Sequence, residues 1–204
     1  MKVIGIIPAK GHSERLPGKN RRMLGGRELY QWSVAYAQAE GIVPVVSTDD
    51  EEIAAWCEAQ GVAFVREQVD DSDMRNCIDQ VLAQFRCNYF ALLQPSSPLR
   101  KPGLLRQMLD YRPTMSIYTA QKVKLIGHIG DKFQFATRDQ DPSTRFLHQF
   151  DGNLLVVNAV WYGIVRRLFD DGSGFTVQQA PHCLQIDTPE DYAVFTLIWN
   201  FFND

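Results

Sequence analysis

The sequence predicts an α/β chain built on a mostly parallel sheet with helices on both faces. Apolar runs such as Val3-Ile4-Gly5-Ile6-Ile7 and Pro44-Val45-Val46 lack the alternation of a half-exposed strand, which is the pattern of strands covered on both sides. Those runs alternate at short spacing with segments of helical periodicity, the signature of right-handed βαβ crossovers. A third feature marks one rim of such a sheet: the first run breaks into a loop of Gly, Ser, Pro and basic residues between Lys10 and Asn20.

The elements follow in order. Leu29, Trp32, Val34, Ala35, Tyr36 and Ala39 give residues 27–39 one buried helical face, and Gly41 can stop the helix. A strand is expected over 44–48. Asp49 or Asp50 then caps a helix that turns Ile53, Ala54, Trp56 and Cys57 inward and ends at Gly61. A strand over 62–65, an acidic loop over 68–73, a helix over 76–85 and a strand over 89–93 continue the alternation. Pro102 suits the first turn of a helix reaching about residue 111. After a strand over 115–120 the chain turns polar, with a short hairpin expected at 132–136; a connection as long as 121–152 in a compact domain is expected to be a lid, a binding loop or an oligomer contact. Residues 154–157 return to the sheet. A terminal strand over 183–187 is expected, and Thr188-Pro189-Glu190-Asp191 opens the last helix with a cap, a proline and two acids.

Composition narrows the partners. The 204 residues carry 21 Lys and Arg against 24 Asp and Glu, a net charge of −3, so no nucleic-acid or anionic-membrane footprint is expected and any polyanion bound should be small. The apolar run over 154–165 is interrupted by Asn158 and too short to span a bilayer, and too few residues precede Pro8 for a signal-peptide core. A single cytoplasmic domain over 1–204 is the expectation. Cys57, Cys77, Cys87 and Cys183 form no CxxC pair and read as free thiols. His12, His128, His148 and His182 show no metal-binding spacing.

The first loop has the makings of a phosphate site. Gly11 and Gly18 let backbone approach a ligand, while Lys10, Arg15 and Lys19 bring positive charge to exposed amides. The residues alone leave open a plain surface turn, and neither GxxxxGK[ST] nor GxGxxG is present. In open α/β sheets ligands lie beyond the carboxyl ends of the strands, where this loop would meet the Ser47-Thr48-Asp49 turn and the turn at Gln94. Asp187, before the last helix, is placed either to hold Mg²⁺ against a nucleotide's phosphates or to help cap that helix.

Four segments together resemble the acylneuraminate cytidylyltransferase family, which activates sialic acid and related nonulosonic acids as CMP-sugars, and its Kdo cytidylyltransferase relatives. They are Ile7-Pro8-Ala9-Lys10-Gly11-His12-Ser13-Glu14-Arg15-Leu16-Pro17-Gly18-Lys19-Asn20; Val46-Ser47-Thr48-Asp49-Asp50-Glu51-Glu52-Ile53-Ala54; Leu92-Leu93-Gln94-Pro95-Ser96-Ser97-Pro98-Leu99-Arg100; and Ile186-Asp187-Thr188-Pro189-Glu190-Asp191-Tyr192. The resemblance implies a Rossmann-like nucleotidyltransferase fold with an inserted dimerisation segment, here residues 121–152. It also implies attack by the anomeric hydroxyl of a 2-keto sugar acid on the α-phosphorus of CTP. Lys10, Arg15, Lys19 and Asp187 would then be catalytic, with Asp187 the Mg²⁺ ligand. Ala9, Lys10, Gly11, Ser13, Lys19 and Asn20 would bind the nucleotide. Gln94, Arg138, Arg145 and Asn158 would bind the acidic sugar, and the protein would be a homodimer.

The chain departs from the family at Lys10, where Arg is usual, and at Gln185, where a second carboxylate is frequent. Ser96 or Ser97 stands where the Kdo enzymes carry an Asp, which argues against Kdo as substrate. Two other readings therefore stand beside the first: a cytidylyltransferase for Kdo or another acidic sugar, and a catalytically weakened nucleotide-binding homologue.

Overall fold

The computed structural model describes residues 1–67, 73–129, 132–135, 146–165, 168, 174–177 and 184–203. In chain order, β1 (Val3–Pro8) leads through one 3-10 turn (Lys19–Arg21) and a short hairpin, β2 (Met23–Leu24) with β3 (Arg27–Glu28), into α1 (Leu29–Ala39). Then come β4 (Val43–Thr48), α2 (Glu51–Gln60), β5 (Ala63–Arg66), α3 (Met74–Gln84), β6 (Tyr89–Leu92) and α4 (Leu104–Asp110). The second half contains β7 (Ser116–Ile129), β8 (Lys132–Phe135), β9 (Phe146–Asn158), α5 (Ala159–Val165), β10 (Gly174–Val177) and α6 (Pro189–Asn203).

The main sheet runs β10-β7-β9-β6-β1-β4-β5, with β8 paired to β7. Parallel pairs join β6, β1, β4 and β5, and β10 lies parallel to β7; β9 runs antiparallel to both neighbours. The mostly parallel sheet is as expected. Strand residues alternate between two cores, which is why the strands read as unbroken apolar runs. Ile7, Val46, Ala91 and Val156 face α1, α2 and α4. Ile4, Val45, Phe90 and Leu155 face α3 and α5. Each Val, Leu, Ile or Phe side chain so buried contributes about 1.5–3 kcal/mol.

Caps fix the helix starts. Asp50, rather than Asp49, accepts the amides of Glu52 and Ile53 at the head of α2, and Asp73 accepts that of Arg75 at α3. Cys57 and Cys77 are buried free thiols in α2 and α3, Cys87 is free and half-buried, and Cys183 lies outside the described residues.

The structure differs from the sequence reading in three places. The strand expected to stop at residue 120 continues to Ile129, and β9 begins at Phe146, so much of the polar stretch is a long antiparallel ribbon. Pro102 stands outside α4, which begins after Gly103. Residues 184–187 form no strand; Ile186 only donates its amide to the Ser96 carbonyl (2.8 Å), while β10 takes the sheet edge beside β7.

A third core ties α6 to the first loop: Leu16, Leu24 and Leu29 pack on Ile186 and Phe195, with Trp199 against them. Among the described residues no helix is long and apolar enough to cross a membrane.

Candidate active site

The carboxyl ends of the three adjacent parallel strands β6, β1 and β4 share one rim, and the loop after β1 is fastened across it. Past Pro8 the pairing with β4 continues: Ala9 donates its amide to the Ser47 carbonyl (2.8 Å), and Thr48 Oγ1 donates to the Ala9 carbonyl (2.7 Å). Gly11 donates its amide to Asp49 Oδ1 (2.6 Å). A side chain at Gly11 would put Cβ 3.1 Å from Asp50 Oδ2 and 3.2 Å from Asp50 Cβ, pressing on the residue that caps α2. Buried Asn20 donates Nδ2 to the Lys10 carbonyl (2.7 Å), so it braces the loop from within. Leu16, fully buried, pins the middle of the loop to α6.

This loop walls a cavity of about 190 Å³. Of the residues expected in the site, Lys10, Ser13, Lys19, Asn20 and Gln94 line it. Ala9 and Gly11 belong to the same loop but are not among the residues that line the cavity. Gln94 is held from behind: buried Arg100 donates to its carbonyl (2.6 Å) and to Ser33 Oγ (3.0 Å). Arg100→Met should therefore leave that carbonyl without its charged donor and destabilise the fold by about 2–3 kcal/mol in urea unfolding.

The cations of the site are matched by carboxylates. Lys19 Nζ donates to Asp187 Oδ1 (2.9 Å), and Arg15, whose side chain is 69% exposed, brings Nη2 within 3.5 Å of the same oxygen. Lys10 Nζ lies 3.3 Å from Glu67 Oε2. Asp187 is set by the turn that starts α6: its amide and that of Thr188 both donate to Asp191 Oδ2, while the Asp191 amide donates to Thr188 Oγ1.

Burial acts to raise the Asp191 carboxyl, but its hydrogen bonds with Asp187 and Thr188 and the nearby Arg15 outweigh it and hold it below its ordinary 3.8. A carboxyl depressed in the fold stabilises fully above its unfolded value and loses that contribution as pH falls through the folded one. Acid unfolding below about pH 4 should therefore be less steep in Asp191→Asn, as circular dichroism against pH would record.

Asn158 is not part of this cluster. Because β9 runs antiparallel to β6, Asn158 pairs with Tyr89, at the opposite end of β6 from Gln94. Its Oδ1 accepts the amides of Val160 and Trp161 and caps α5. Arg138 and Arg145 lie outside the described residues. Two lining residues outside the quoted segments escaped the sequence reading, Met74 and Cys77, and four residues within those segments to which it assigns no role, Pro8, His12, Pro95 and Ser96, also line the cavity. His12 carries a signal in hindsight, since it sits inside the loop. Met74 and Cys77 reach the site only through the β5 to α3 crossover, which no local pattern reports.

Cys77 is no nucleophile. Burial pushes its thiol up to about 12, with the Glu67 carboxylate adding to the rise, so it stays protonated at neutral pH. Native protein at pH 8 should leave Cys77 unalkylated by iodoacetamide over a time that fully labels the urea-unfolded chain, as peptide mass spectrometry would show.

A mostly parallel α/β sheet whose first strand ends in a basic, glycine-containing loop over a cavity is an arrangement in which open α/β sheets take their ligands. The family model described as cytidylyltransferase matches residues 4–134, and the chain belongs to this family. Among its relatives, CMP-N,N'-diacetyllegionaminic acid synthase of Legionella pneumophila is 34% identical over 122 residues, 54% of this chain and 53% of that protein. The 3-deoxy-manno-octulosonate cytidylyltransferase of Bdellovibrio bacteriovorus is 30% identical over 174 residues, 76% of this chain and 69% of that protein. The chain thus spans about half the length of the first relative and 69% of the second. In fold it resembles CMP:2-keto-3-deoxy-manno-octonic acid synthetase solved with CTP, at TM-score 0.72 and 17% identity over 98% of this chain and all of that one.

Proposed function

We propose that this protein transfers CMP from CTP to the anomeric hydroxyl of an acidic 2-keto sugar of the nonulosonic class, releasing pyrophosphate. The observation that carries the proposal is the convergence of Lys10, Ser13, Lys19 and Gln94 on one cavity, with Asp187 bonded to Lys19 at its edge. In-line transfer at phosphorus depends on positioning and on neutralising charge, and these residues offer both. The triphosphate draws Lys19 and Arg15 away from Asp187, and the two cations then stabilise the departing pyrophosphate. The Ser13 hydroxyl is a donor for phosphate oxygens, the Gly11 amide is held by Asp49, and Asn20 keeps the Lys10 carbonyl turned into the loop. Gln94 offers its side-chain amide to the sugar acid.

Asp187 fits Mg²⁺. Its Oδ1 takes both cations, and a single hard carboxylate beside phosphate oxygens matches an ion that keeps most of its waters. Bound there, Mg²⁺ would offset charge on the α-phosphate and the leaving group. Arg138 and Arg145 are proposed to meet the sugar carboxylate with a bidentate fork. The stretch 121–152 is proposed as the contact of a cytoplasmic homodimer of single-domain protomers.

Kdo as acceptor is favoured by one observation: the Kdo-type relative matches over more of the chain than the legionaminic-type one does. Pyrophosphate release from CTP and Mg²⁺ with N-acetylneuraminic, legionaminic, pseudaminic and Kdo acids in parallel separates the two. A nonulosonic acid is expected to give kcat/KM at least about tenfold above Kdo, a difference of about 1.4 kcal/mol. The reverse order would transfer the reading to the Kdo class.

A further inference from the structure

We infer that Glu67, at the end of β5, is a positioning residue that aims the Lys10 ammonium into the cavity; the inference rests on the nucleotide-site reading above. Its carboxylate is sheltered, with a side chain only 8% exposed, and it pairs with Lys10, which lines the cavity. One oxygen, Oε1, accepts from Ser47 Oγ at 2.8 Å, and Ser47 is itself fully buried. The other, Oε2, lies 3.3 Å from Lys10 Nζ. The Glu67 backbone is fixed as well, because its amide donates to the Thr48 carbonyl at 2.9 Å. Ser47 and Thr48 end β4, so the carboxylate is fastened to the strand neighbouring the one that carries Lys10.

This anchoring supplies what a lysine lacks. An ammonium on a four-carbon stem has no planar fork to define its direction, and an unanchored one samples many rotamers. Paired with Glu67 on one side, the ammonium keeps donors for oxygens of a bound polyphosphate on the other. Glu67 holds its own direction through Ser47, as a supporting shell must if the group it supports is to stay placed. Glu67 does not reach the ligand; it acts through Lys10.

Glu67→Gln removes the charge while keeping the shape and the hydrogen bond from Ser47. For CTP with a competent sugar acid, kcat should fall about tenfold and KM for CTP should change less than about threefold, since placement is lost more than affinity. In a Lys10→Ala background the same substitution should change kcat by less than about twofold, because the group it aims is gone. Equal losses in both backgrounds would assign Glu67 a structural role independent of Lys10 and overturn the inference. A second readout needs no turnover: acylation of Lys10 by acetic anhydride at pH 8, followed by peptide mass spectrometry, should be several-fold faster in Glu67→Gln than in wild type. An unchanged rate would overturn the inference too. If wild type turns over no acid, the proposed function falls, and the labelling rates still decide whether Glu67 holds Lys10.

Discussion

Asp187→Ala is expected to lower CMP transfer by about 10²–10³-fold, a loss of the order caused by taking one preorganised donor from an oxyanion hole. The carboxylate receives Lys19 at 2.9 Å and Arg15 at 3.5 Å through one oxygen. Its removal deprives the site of the group proposed to hold Mg²⁺. The expected loss lies in kcat and not in nucleotide affinity, because the substitution also frees two cations for the triphosphate. Metal-free CTP binding by calorimetry should hold steady or tighten while single-turnover transfer collapses. The pair is partly exposed, so its contribution to stability is small and the thermal midpoint should move little. If transfer stays within about twofold of wild type, Asp187 only starts α6 and the catalytic role is wrong.

Gly25→Ala is expected to cost about 2–4 kcal/mol of stability, from a left-handed backbone and an overfilled contact together. Gly25 has φ +54°, and a Cβ there would sit 2.1 Å from Trp199 Cε2 and 2.2 Å from Cζ2. The indole cannot simply withdraw, because it packs on Trp32 with ring centroids 4.7 Å apart. Gly26 next to it is the control: φ is +77° but nothing lies within 4 Å of its would-be Cβ. Gly26→Ala should therefore cost only the backbone share, about 1–2 kcal/mol. Equal urea midpoints for the two variants would mean that Trp199 does not seat over the hairpin. The contact has a functional side under the proposed reading, since α6 begins just after Asp187 and packs on Leu16 of the loop that follows β1. Loosening the Trp199 end should thus lower activity as well as stability.

How far the sequence revealed this arrangement depends on whether the information was local. The strands β1, β4 and β6 were legible because both faces are buried and the apolar runs are unbroken. The starts of α2 and α6 were legible from Asp50 and from Thr188 with Asp191, because capping chemistry spans three or four residues. The long ribbon of β7 and β9 was missed because Lys122 and Lys124 alternate with Val123 and Leu125, a pattern that reads as polar when counted by composition.

Asn158 shows a deeper limit. It ends a strand, as Gln94 lies at the end of another, but strand direction is set by pairing at long range. With β9 reversed between β6 and β7, the end of that strand faces the other rim. In the site, the loop from Lys10 to Asn20 announced itself by residue type. The Lys10 to Glu67 pair joins residues 57 positions apart, just past the ends of different strands, and Cys77 enters from a helix, so neither leaves a trace in any short window.

The central claim is CMP transfer to an acidic sugar, and phosphorus NMR of the wild-type protein with CTP, Mg²⁺ and the panel of sugar acids tests it most directly. The account predicts a new phosphodiester resonance for one acid, appearing in step with an equal amount of pyrophosphate. CTP that binds yet yields no phosphodiester with any acid, or that yields one only with a neutral acceptor, would contradict it.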